Sequence, residues 1–278
     1  RRQRQMCIRD SYKVGGCVRD ELLNRENFDI DITTSALPEE IKEVFKDYKT
    51  IDIGAKFGTI KVLEGPDEYE ITTMRRESGY ADKRHPEKIA FTKDIKEDLK
   101  RRDFTINAMA KRNCEIIDIF DGKKDLESKI IRAVGNPNER IREDVLRSLR
   151  AVRFASTLKF EIADDLKKSI KENAESIDEI SKERIQVELN KILLADNPKR
   201  GIMLLDEVGL LEYIFPEVFA TKGFDQHSTF HTENLYDHTL SVLEKTPAIL
   251  EVRMAALYHD VGKIDTFFLD ENLSLIHI

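Results

Sequence analysis

The hydrophobic pattern of this chain changes once, and that change decides the fold class. Residues 12–135 contain short β-branched runs separated by turn signals, together with a helical pattern around residues 37–48. From about residue 137 onwards, nearly every segment has helical periodicity. Gly135-Asn136-Pro137 is a turn signal, so it is the predicted boundary between the two regions. We therefore predict an α+β fold, in which an α/β module is followed by an all-α region.

Composition narrows the function classes. At 278 residues the chain exceeds the usual size of one domain. It has no apolar run near the roughly 20 residues that a bilayer span requires, which predicts a soluble protein with no membrane partner. Cys7, Cys17 and Cys114 form no CxxC pair, so we expect neither a disulfide framework nor a structural zinc site, and a reducing cytoplasm. The net charge of −7 restricts any nucleic-acid contact to local basic patches.

Both ends of the chain lack the features of a folded element. Residues 1–11 have no periodicity, and the final LSLIHI is an apolar run with neither a helix cap nor a turn. We expect that neither end is native sequence, and the fold prediction leaves both out.

The segment FDIDITT places two aspartates around one isoleucine. Because successive strand side chains point to opposite faces, Asp29 and Asp31 are predicted to share one face, with Ile30 and Ile32 turned into the core. Two carboxylates at this spacing can hold Mg²⁺, which usually binds one or two carboxylates together with substrate phosphates. Nucleotidyl transfer uses this arrangement. A solvated strand face has the same pattern, so the interpretation as a metal site also depends on the residues that precede it.

Two glycines precede this acidic segment. Gly15 and Gly16 follow an apolar strand pattern and stand before VRDELL, which has the pattern of a helix start. A glycine pair there lets backbone N–H groups approach phosphate oxygens at a helix N-terminus. Arg19, one turn into that helix, can add a charge-assisted contact to a triphosphate. The predicted order is therefore strand, Gly-Gly, helix and acidic strand.

GGCVRDELLNRENFDIDITT resembles the signature of class II CCA-adding tRNA nucleotidyltransferases and the related bacterial poly(A) polymerases, within the polymerase-β-like superfamily. Later segments follow the order of that family's motifs: RRDFTINAMA (101–110), DIFDGKKDL (118–126), REDVLRSLRAVRFA (142–155) and KERIQVELNKIL (182–193). The resemblance extends from about residue 12 to 265. It implies a nucleotidyltransferase head at 12–135, a helical neck that recognises the base at 136–200, and a truncated helical body with a partial HD domain at 201–278.

The fourth of these motifs contains residues suited to base recognition. Asp144 and Arg147 are predicted to lie at i and i+3 of one helix and to share a face. A carboxylate accepts from the exocyclic amine of cytosine or adenine, and a guanidinium donates to the adjacent ring nitrogen. Uracil and guanine would leave Asp144 facing an acceptor, at a cost of roughly 1 to 3 kcal/mol. The resemblance assigns Arg150 and Arg153 to the nucleotide as well, although a solvated basic face has the same pattern.

The second motif adds a basic segment. The resemblance assigns Arg102 to the incoming nucleotide, while Asp103 and Asn107 are expected either to brace the site or to contact the ribose. Five basic side chains against one acidic one at residues 99–113 favour a phosphate-contacting patch.

A further strand, EYEITTMRRE (68–77), also resembles the family. Glu70 is a candidate third carboxylate, and Arg75 is a candidate ribose or phosphate contact. Residues 76–92 have no clear period, and they correspond to the flexible loop that helps the family switch from C to A addition.

Four of the six histidines lie between residues 227 and 259. His238, in YDHTL, and His259-Asp260, at the start of HDVGK, are each predicted on a helix and are ligand types suited to a divalent metal. The arrangement resembles an HD phosphohydrolase domain, which normally uses one more aspartate far downstream. A degenerate helical RNA-binding body is the competing interpretation.

Together these features predict a Mg²⁺-dependent enzyme that adds CMP and AMP from CTP and ATP to the 3′ end of tRNA. A poly(A) polymerase, or an A-adding or CC-adding relative, is the nearest alternative. A metal-dependent phosphohydrolase and a non-catalytic RNA-binding module are alternatives from other classes.

Overall fold

The computed structural model describes residues 10–27, 29–54, 57–65, 67–79, 88–224, 234–269 and 275–277. These residues form two compact units, which meet in the sequence between Asp144 and Val145. The three-part division at residues 135 and 200 stays a prediction. None of the helices in the described ranges combines the length and apolar character needed to cross a bilayer.

The first unit is a mixed α/β structure, as predicted. Its strands are β1 (Ser11–Val14), β2 (Ile30–Thr34), β3 (Lys49–Gly54), β4 (Thr59–Glu64), β5 (Asp67–Thr73), β6 (Arg75–Ser78), β7 (Lys88–Phe91), β8 (Met109–Arg112), β9 (Glu115–Asp118) and β10 (Ile130–Ile131). Its helices are α1 (Gly16–Leu22), α2 (Pro38–Val44), α3 (Ile95–Lys100), α4 (Gly122–Glu127) and α5 (Pro137–Glu143), with a 3-10 turn at Thr105–Asn107.

Seven of these strands form one sheet, in the order β3-β4-β5-β2-β1-β8-β9. Strands β2 and β5 are parallel, and their register places Asp31 opposite Glu70. Ile32 packs in a core cluster with Ile41 of α2, and Ile30 packs against that cluster, as the alternation of FDIDITT predicts. The sheet thus carries Asp31 in its centre with an apolar layer on the opposite face.

The segment 76–92 is more regular at its ends than predicted. Strands β6 and β7 pair antiparallel, with Arg75 opposite Phe91 and Ser78 opposite Lys88. The prediction of an irregular loop across the whole segment is therefore wrong for these residues, because backbone pairing does not require an alternating apolar pattern. Residues 80–87 lie outside the described ranges.

The second unit is mainly helical. Its helices are α6 (Leu146–Leu158), α7 (Asp164–Glu172), α8 (Lys182–Leu193), α9 (Pro198–Glu207), α10 (Leu211–Ile214), α11 (Pro216–Ala220), α12 (Leu235–Glu244) and α13 (Leu250–Tyr258), with 3-10 turns at Ala174–Glu179 and Val261–Lys263. Three short strands, β11 (Glu161–Ile162), β12 (Phe267–Leu269) and β13 (Leu275–His277), depart from the all-α prediction. Strands this short cannot be predicted from hydrophobic periodicity, which is detected only over a longer window.

Candidate functional site

Three carboxylates are grouped at the centre of the sheet. Asp31 lies on β2, Glu70 lies opposite it on β5, and Asp29 lies immediately before β2. The prediction that both aspartates belong to the strand is right for Asp31 and wrong for Asp29, whose backbone N–H instead donates to the Asn27 side chain at 2.8 Å. That local hydrogen bond competes with strand pairing at the first position.

Burial and charge act together on Asp31. Burial raises the pKa of this carboxyl; the nearby Arg102 guanidinium lowers it, and the Glu70 and Asp29 carboxylates raise it further, so that the net shift is upward. Like-charge repulsion from Glu70 and Asp29 thus adds to the effect of burial on Asp31. A divalent cation would compensate that repulsion with oxygen ligands already present, which fits the donor preference of Mg²⁺.

Gly15 brings Arg102 to the acidic cluster. It is the N-cap of α1, with a φ of 74°, and its carbonyl accepts from the N–H groups of Val18 and Arg19. A Cβ at this position would lie 2.9 Å from Arg102 Nη1 and 3.7 Å from Asp31 Oδ2. The glycine is therefore required both for its backbone conformation and for the close approach of the two side chains.

Arg102 has an unused hydrogen-bond donor at this place. Its Nη2 lies 3.4 Å from Asp98 Oδ2, whereas its buried Nε has no hydrogen-bond partner among the residues that the structure describes. A buried donor without an acceptor is costly. An acceptor on a bound ligand, such as a phosphate or base oxygen, would satisfy it.

Arg19 is anchored within the protein. Its Nε and Nη2 donate to the two carboxylate oxygens of Asp20, each at 2.8 Å, and its Nη1 donates to Asn107 Oδ1 at 2.8 Å. Asn107 Nδ2 in turn donates to Asp103 Oδ1 at 3.2 Å. Asp103 and Asn107 thus brace Arg19, which is one of the two roles expected for them; a ribose contact stays a prediction, as does contact between Arg19 and a triphosphate.

The same hydrogen-bond network extends to the acidic cluster. Asn27 Nδ2 donates to Asp20 Oδ2 at 2.8 Å while its Oδ1 accepts from the Asp29 backbone. A Cβ on Gly16 would lie 3.6 Å from Arg19 Nη2 and 3.9 Å from Asn27 Nδ2. Arg19 is therefore linked through Asp20 and Asn27 to the segment that carries Asp29.

Much of the predicted basic patch at residues 99–113 is paired with acids. Arg112 lies 2.6 Å from Asp10, and Lys111 forms an ion pair with Glu21. A phosphate-contacting role for these side chains stays a prediction.

The helix predicted to carry both Asp144 and Arg147 is interrupted. Helix α5 ends at Glu143, Asp144 is extended with φ −151° and ψ 103°, and α6 begins at Leu146. The prediction that Asp144 and Arg147 share one face of a single helix is therefore wrong. Aspartate has a low helix propensity and commonly lies at helix ends, and a break of two residues leaves the apolar periodicity of REDVLRSLRAVRFA almost unchanged.

The three arginines of α6 lie in the second unit. Arg147 is buried, and Arg150 and Arg153 are half-buried beside the Phe154 ring, with guanidinium carbons 5.5 and 4.0 Å from its centroid. Arg153 Nε also donates to Glu188 Oε2 of α8 at 2.6 Å. The solvated basic face is thus excluded for Arg147 by its burial.

His238, His259 and Asp260 come together in the second unit, and their ligand atoms all lie within 4.8 Å of one another. His238 lies on α12 as predicted, but α13 ends at Tyr258, so the prediction that His259 and Asp260 lie on a helix is wrong; they connect α13 to the 3-10 turn Val261–Lys263. His259 Nδ1 donates to the Ala256 carbonyl at 2.7 Å, and its Nε2 lies 3.2 Å from Asp260 Oδ2.

Three acidic residues that hold predicted site arginines were not predicted from the sequence. Asp98, Asp20 and Glu188 each hold a predicted arginine, namely Arg102, Arg19 and Arg153. Each lies in or beside a motif quoted above, but in a sequence an acid that pairs internally looks the same as one that faces solvent. The one available signal is that Glu188 occupies an otherwise apolar helical position.

Comparison with known families matches two segments of the chain. Residues 11–132 match the poly(A) polymerase head domain, and residues 159–221 match the probable RNA- and SrmB-binding site of polymerase A. The first match contains the whole acidic cluster with Gly15 and Arg102. The second match contains Glu188.

Among curated proteins, the chain is 53% identical over 205 residues to the CCA-adding enzyme of Limosilactobacillus reuteri strain DSM 20016, covering 73% of this chain and 50% of that enzyme. It is 52% identical over 218 residues to the CCA-adding enzyme of Pediococcus pentosaceus, covering 78% and 54%. The chain thus spans about half the length of the curated relatives it matches.

Solved structures give the same result for the fold. The Bacillus stearothermophilus CCA-adding enzyme in complex with CTP superposes with a TM-score of 0.76 and 38% identity, covering 93% of this chain and 60% of that one. A tRNA nucleotidyltransferase complexed with a primer tRNA and an incoming ATP analogue gives 0.65 and 29%, covering 87% and 73%.

Proposed function

Given that this chain belongs to the family of CCA-adding enzymes and poly(A) polymerases, we propose that it adds CMP and AMP, from CTP and ATP, to the 3′ end of tRNA without a template. The observation that carries this proposal is the meeting of Asp29, Asp31 and Glu70 with Gly15 and Arg102. Those five residues come from four separate segments of the chain. A cytoplasmic location follows from the proposal, because tRNA and nucleoside triphosphates are cytoplasmic substrates.

The acidic cluster is the proposed Mg²⁺ site, with Asp29 and Asp31 as ligands and Glu70 as a candidate third. Burial raises the pKa of Asp31, and the Glu70 and Asp29 carboxylates add to that shift, which supports a cation at this position. Bound there, Mg²⁺ would lower the pKa of the attacking 3′-hydroxyl and stabilise the charge on the leaving pyrophosphate.

The protein side chains bind and orient the nucleotide. Arg102 has a buried donor without an acceptor in the described structure, which supports a contact with the triphosphate or the ribose. Gly15 keeps the space beside Arg102 open. Most of the acceleration would come from positioning and from charge stabilisation, because no protein group forms a covalent bond.

Base selection is assigned to Asp144 and to the arginines of α6. An aspartate that accepts from the N4 amine of cytosine or the N6 amine of adenine disfavours uracil and guanine, which carry a carbonyl at that position. The burial of Arg147 restricts its guanidinium to a defined position on α6, which supports a specific role. Arg150 and Arg153 are proposed to contribute to the same nucleotide.

An incorporation assay tests the function. Each radiolabelled nucleoside triphosphate is supplied in turn with tRNA that lacks its CCA end, with Mg²⁺ or with EDTA. We expect CMP to be added first and AMP after it, only with Mg²⁺, and neither UMP nor GMP. Addition of AMP alone to any RNA would establish the poly(A) polymerase alternative instead, and tRNA binding without CTP consumption would establish a binding module.

The histidine cluster supports a second candidate function, which is metal-dependent phosphoester hydrolysis in the second unit. Three candidate ligands converge there, although Lys263 Nζ lies 2.7 Å from Asp260 Oδ2, the oxygen that faces the two histidines. Hydrolysis of p-nitrophenyl phosphate with Mn²⁺ or Ni²⁺ tests it. The activity should survive Asp29→Asn combined with Asp31→Asn and be lost in His259→Ala; absence of hydrolysis in the unaltered protein would exclude it.

A further inference from the structure

Asp98 is a fully buried carboxylate that receives four donors from three segments of the first unit. It lies on α3 with a relative exposure of 0%. Its Oδ1 accepts from the Arg75 backbone N–H at 3.2 Å and from Arg101 Nε at 2.9 Å. Its Oδ2 accepts from Thr33 Oγ1 and from Arg102 Nη2, each at 3.4 Å. No role in nucleotide transfer has been assigned to it above.

The Asp98 carboxylate is an anion despite its burial. Burial alone would raise its pKa, but the Arg101 and Arg102 guanidiniums and the Arg75 N–H outweigh that effect and hold the pKa below its ordinary value. Removing the charge would therefore leave the Arg102 guanidinium without its buried counter-ion, which is a large penalty in a low-dielectric environment.

The position of Asp98 relates directly to the acidic cluster. Thr33 follows Asp31 by two residues on β2, so the two side chains point to the same face of the sheet. Arg102 reaches from Asp98, at its Nη2, to the space beside Gly15 and Asp31, at its Nη1. Asp98 thus fixes both the strand face that carries Asp31 and the guanidinium that lies against it.

Arg102 and Arg101 differ in what else holds them. Among the residues that the structure describes, Asp98 is the one acid within ion-pair distance of Arg102. Arg101 also lies 3.3 Å from Glu77, which itself lies 2.6 Å from Arg75. Loss of the Asp98 charge should therefore release Arg102 while Arg101 keeps an acidic partner.

We propose that Asp98 is a positioning residue that holds the Arg102 guanidinium beside Asp31 in the orientation that binds the nucleoside triphosphate. The part concerning the nucleotide rests on the proposed function. The part concerning Arg102 does not.

The order of the arginine side chains tests the positioning directly. In protein labelled with ¹⁵N-arginine, Asp98→Asn should lower the order parameter of the Arg102 Nε–H bond from roughly 0.85 to below about 0.6. The Arg101 signal should change much less. Glu97→Gln is the matched control, because it removes one negative charge from the neighbouring position of the same helix. An unchanged Arg102 order parameter in Asp98→Asn would overturn the proposal.

Kinetics test the consequence for the nucleotide. We expect Asp98→Asn to lower kcat/KM for CTP by about tenfold or more, mainly through KM, and to have no additional effect in an Arg102→Ala background. Additive losses in the double variant would show that Asp98 acts independently of Arg102 and would overturn the proposal. Should Asp98→Asn fail to fold, Asp98→Glu keeps the charge but displaces it by one methylene, and the same comparisons are made with it. An unaltered protein that incorporates no nucleotide would defeat the proposed function, while the order parameters would still decide the positioning.

Discussion

The charged form of Asp31 is disfavoured by its burial and by the Glu70 and Asp29 carboxylates. Replacing it with asparagine keeps the shape and removes a proposed Mg²⁺ ligand, so we expect CMP incorporation to fall by roughly 10²-fold or more. Asp67→Asn, at an exposed aspartate that begins β5, is the control and should retain activity. Equal activity of the two variants would remove Asp31 from the proposed site.

The same substitution makes a prediction about stability and pH. Because the folded pKa of Asp31 lies above its ordinary value of 3.8, its stabilising contribution is complete below the unfolded pKa and is lost as the pH rises through the folded pKa. Asp31→Asn should therefore melt at a higher temperature than the unaltered protein at neutral pH. The difference should disappear below the unfolded pKa, as calorimetry at several pH values would show; a lower melting temperature at neutral pH would contradict this.

Alanine substitutions at Gly15 and Gly65 separate the effect of backbone strain from the effect of a close side-chain contact. Gly15→Ala places a side chain at a φ of 74° and 2.9 Å from Arg102 Nη1, whereas Gly65→Ala meets a φ of 62° with nothing within 4 Å. Both should lose about 1 kcal/mol of stability. Only Gly15→Ala should raise KM for CTP, because only there must Arg102 move. A similar KM for both variants would contradict the proposed role of that space.

Sequence reasoning at this scale identified the residues that carry distinctive chemistry. The proximity of Gly15, Asp31 and Arg102 follows from motifs that are each readable in the sequence. Their supports, such as Asp98 and Asn27, were missed because tertiary hydrogen bonds between distant segments have no local sequence pattern.

At the level of elements, an ion pair joins α6 to α8. Arg153 and Glu188 are 15% and 6% exposed and lie 2.6 Å apart. Glu188→Gln should reduce the free energy of unfolding by about 2 kcal/mol, because a mostly buried guanidinium loses its counter-ion. Glu183→Gln, at an exposed position of the same helix, should cost only a few tenths of a kcal/mol. Urea unfolding measures both, and equal losses would contradict a specific role for the pair.

The strands of the acidic sheet were predictable because alternation separates a polar face from an apolar one, as Asp31 and Ile32 show. The interruption at Asp144 was not, because the apolar periodicity continues across it while the backbone does not. Strands β6 and β7 were missed for a related reason, because neither RRES nor KIAF alternates apolar and polar residues.

At the scale of the whole molecule, the change of pattern near residue 137 correctly separates a mixed α/β region from a mainly helical one. The compact units divide eight residues further on, after α5. A turn signal marks the end of a strand region, whereas the contacts of the following helix decide which unit it joins, and those contacts cannot be read from sequence.

We propose that the nucleotide and its metal bind at Asp29 and Asp31. The most direct measurement is a crystal structure with CTP and Mn²⁺ in place of Mg²⁺, with data collected at the manganese absorption edge. We predict an anomalous peak between those two carboxylates, with the triphosphate extending toward Arg102. A peak confined to the His238, His259 and Asp260 cluster, or a nucleotide bound away from Asp31, would contradict it.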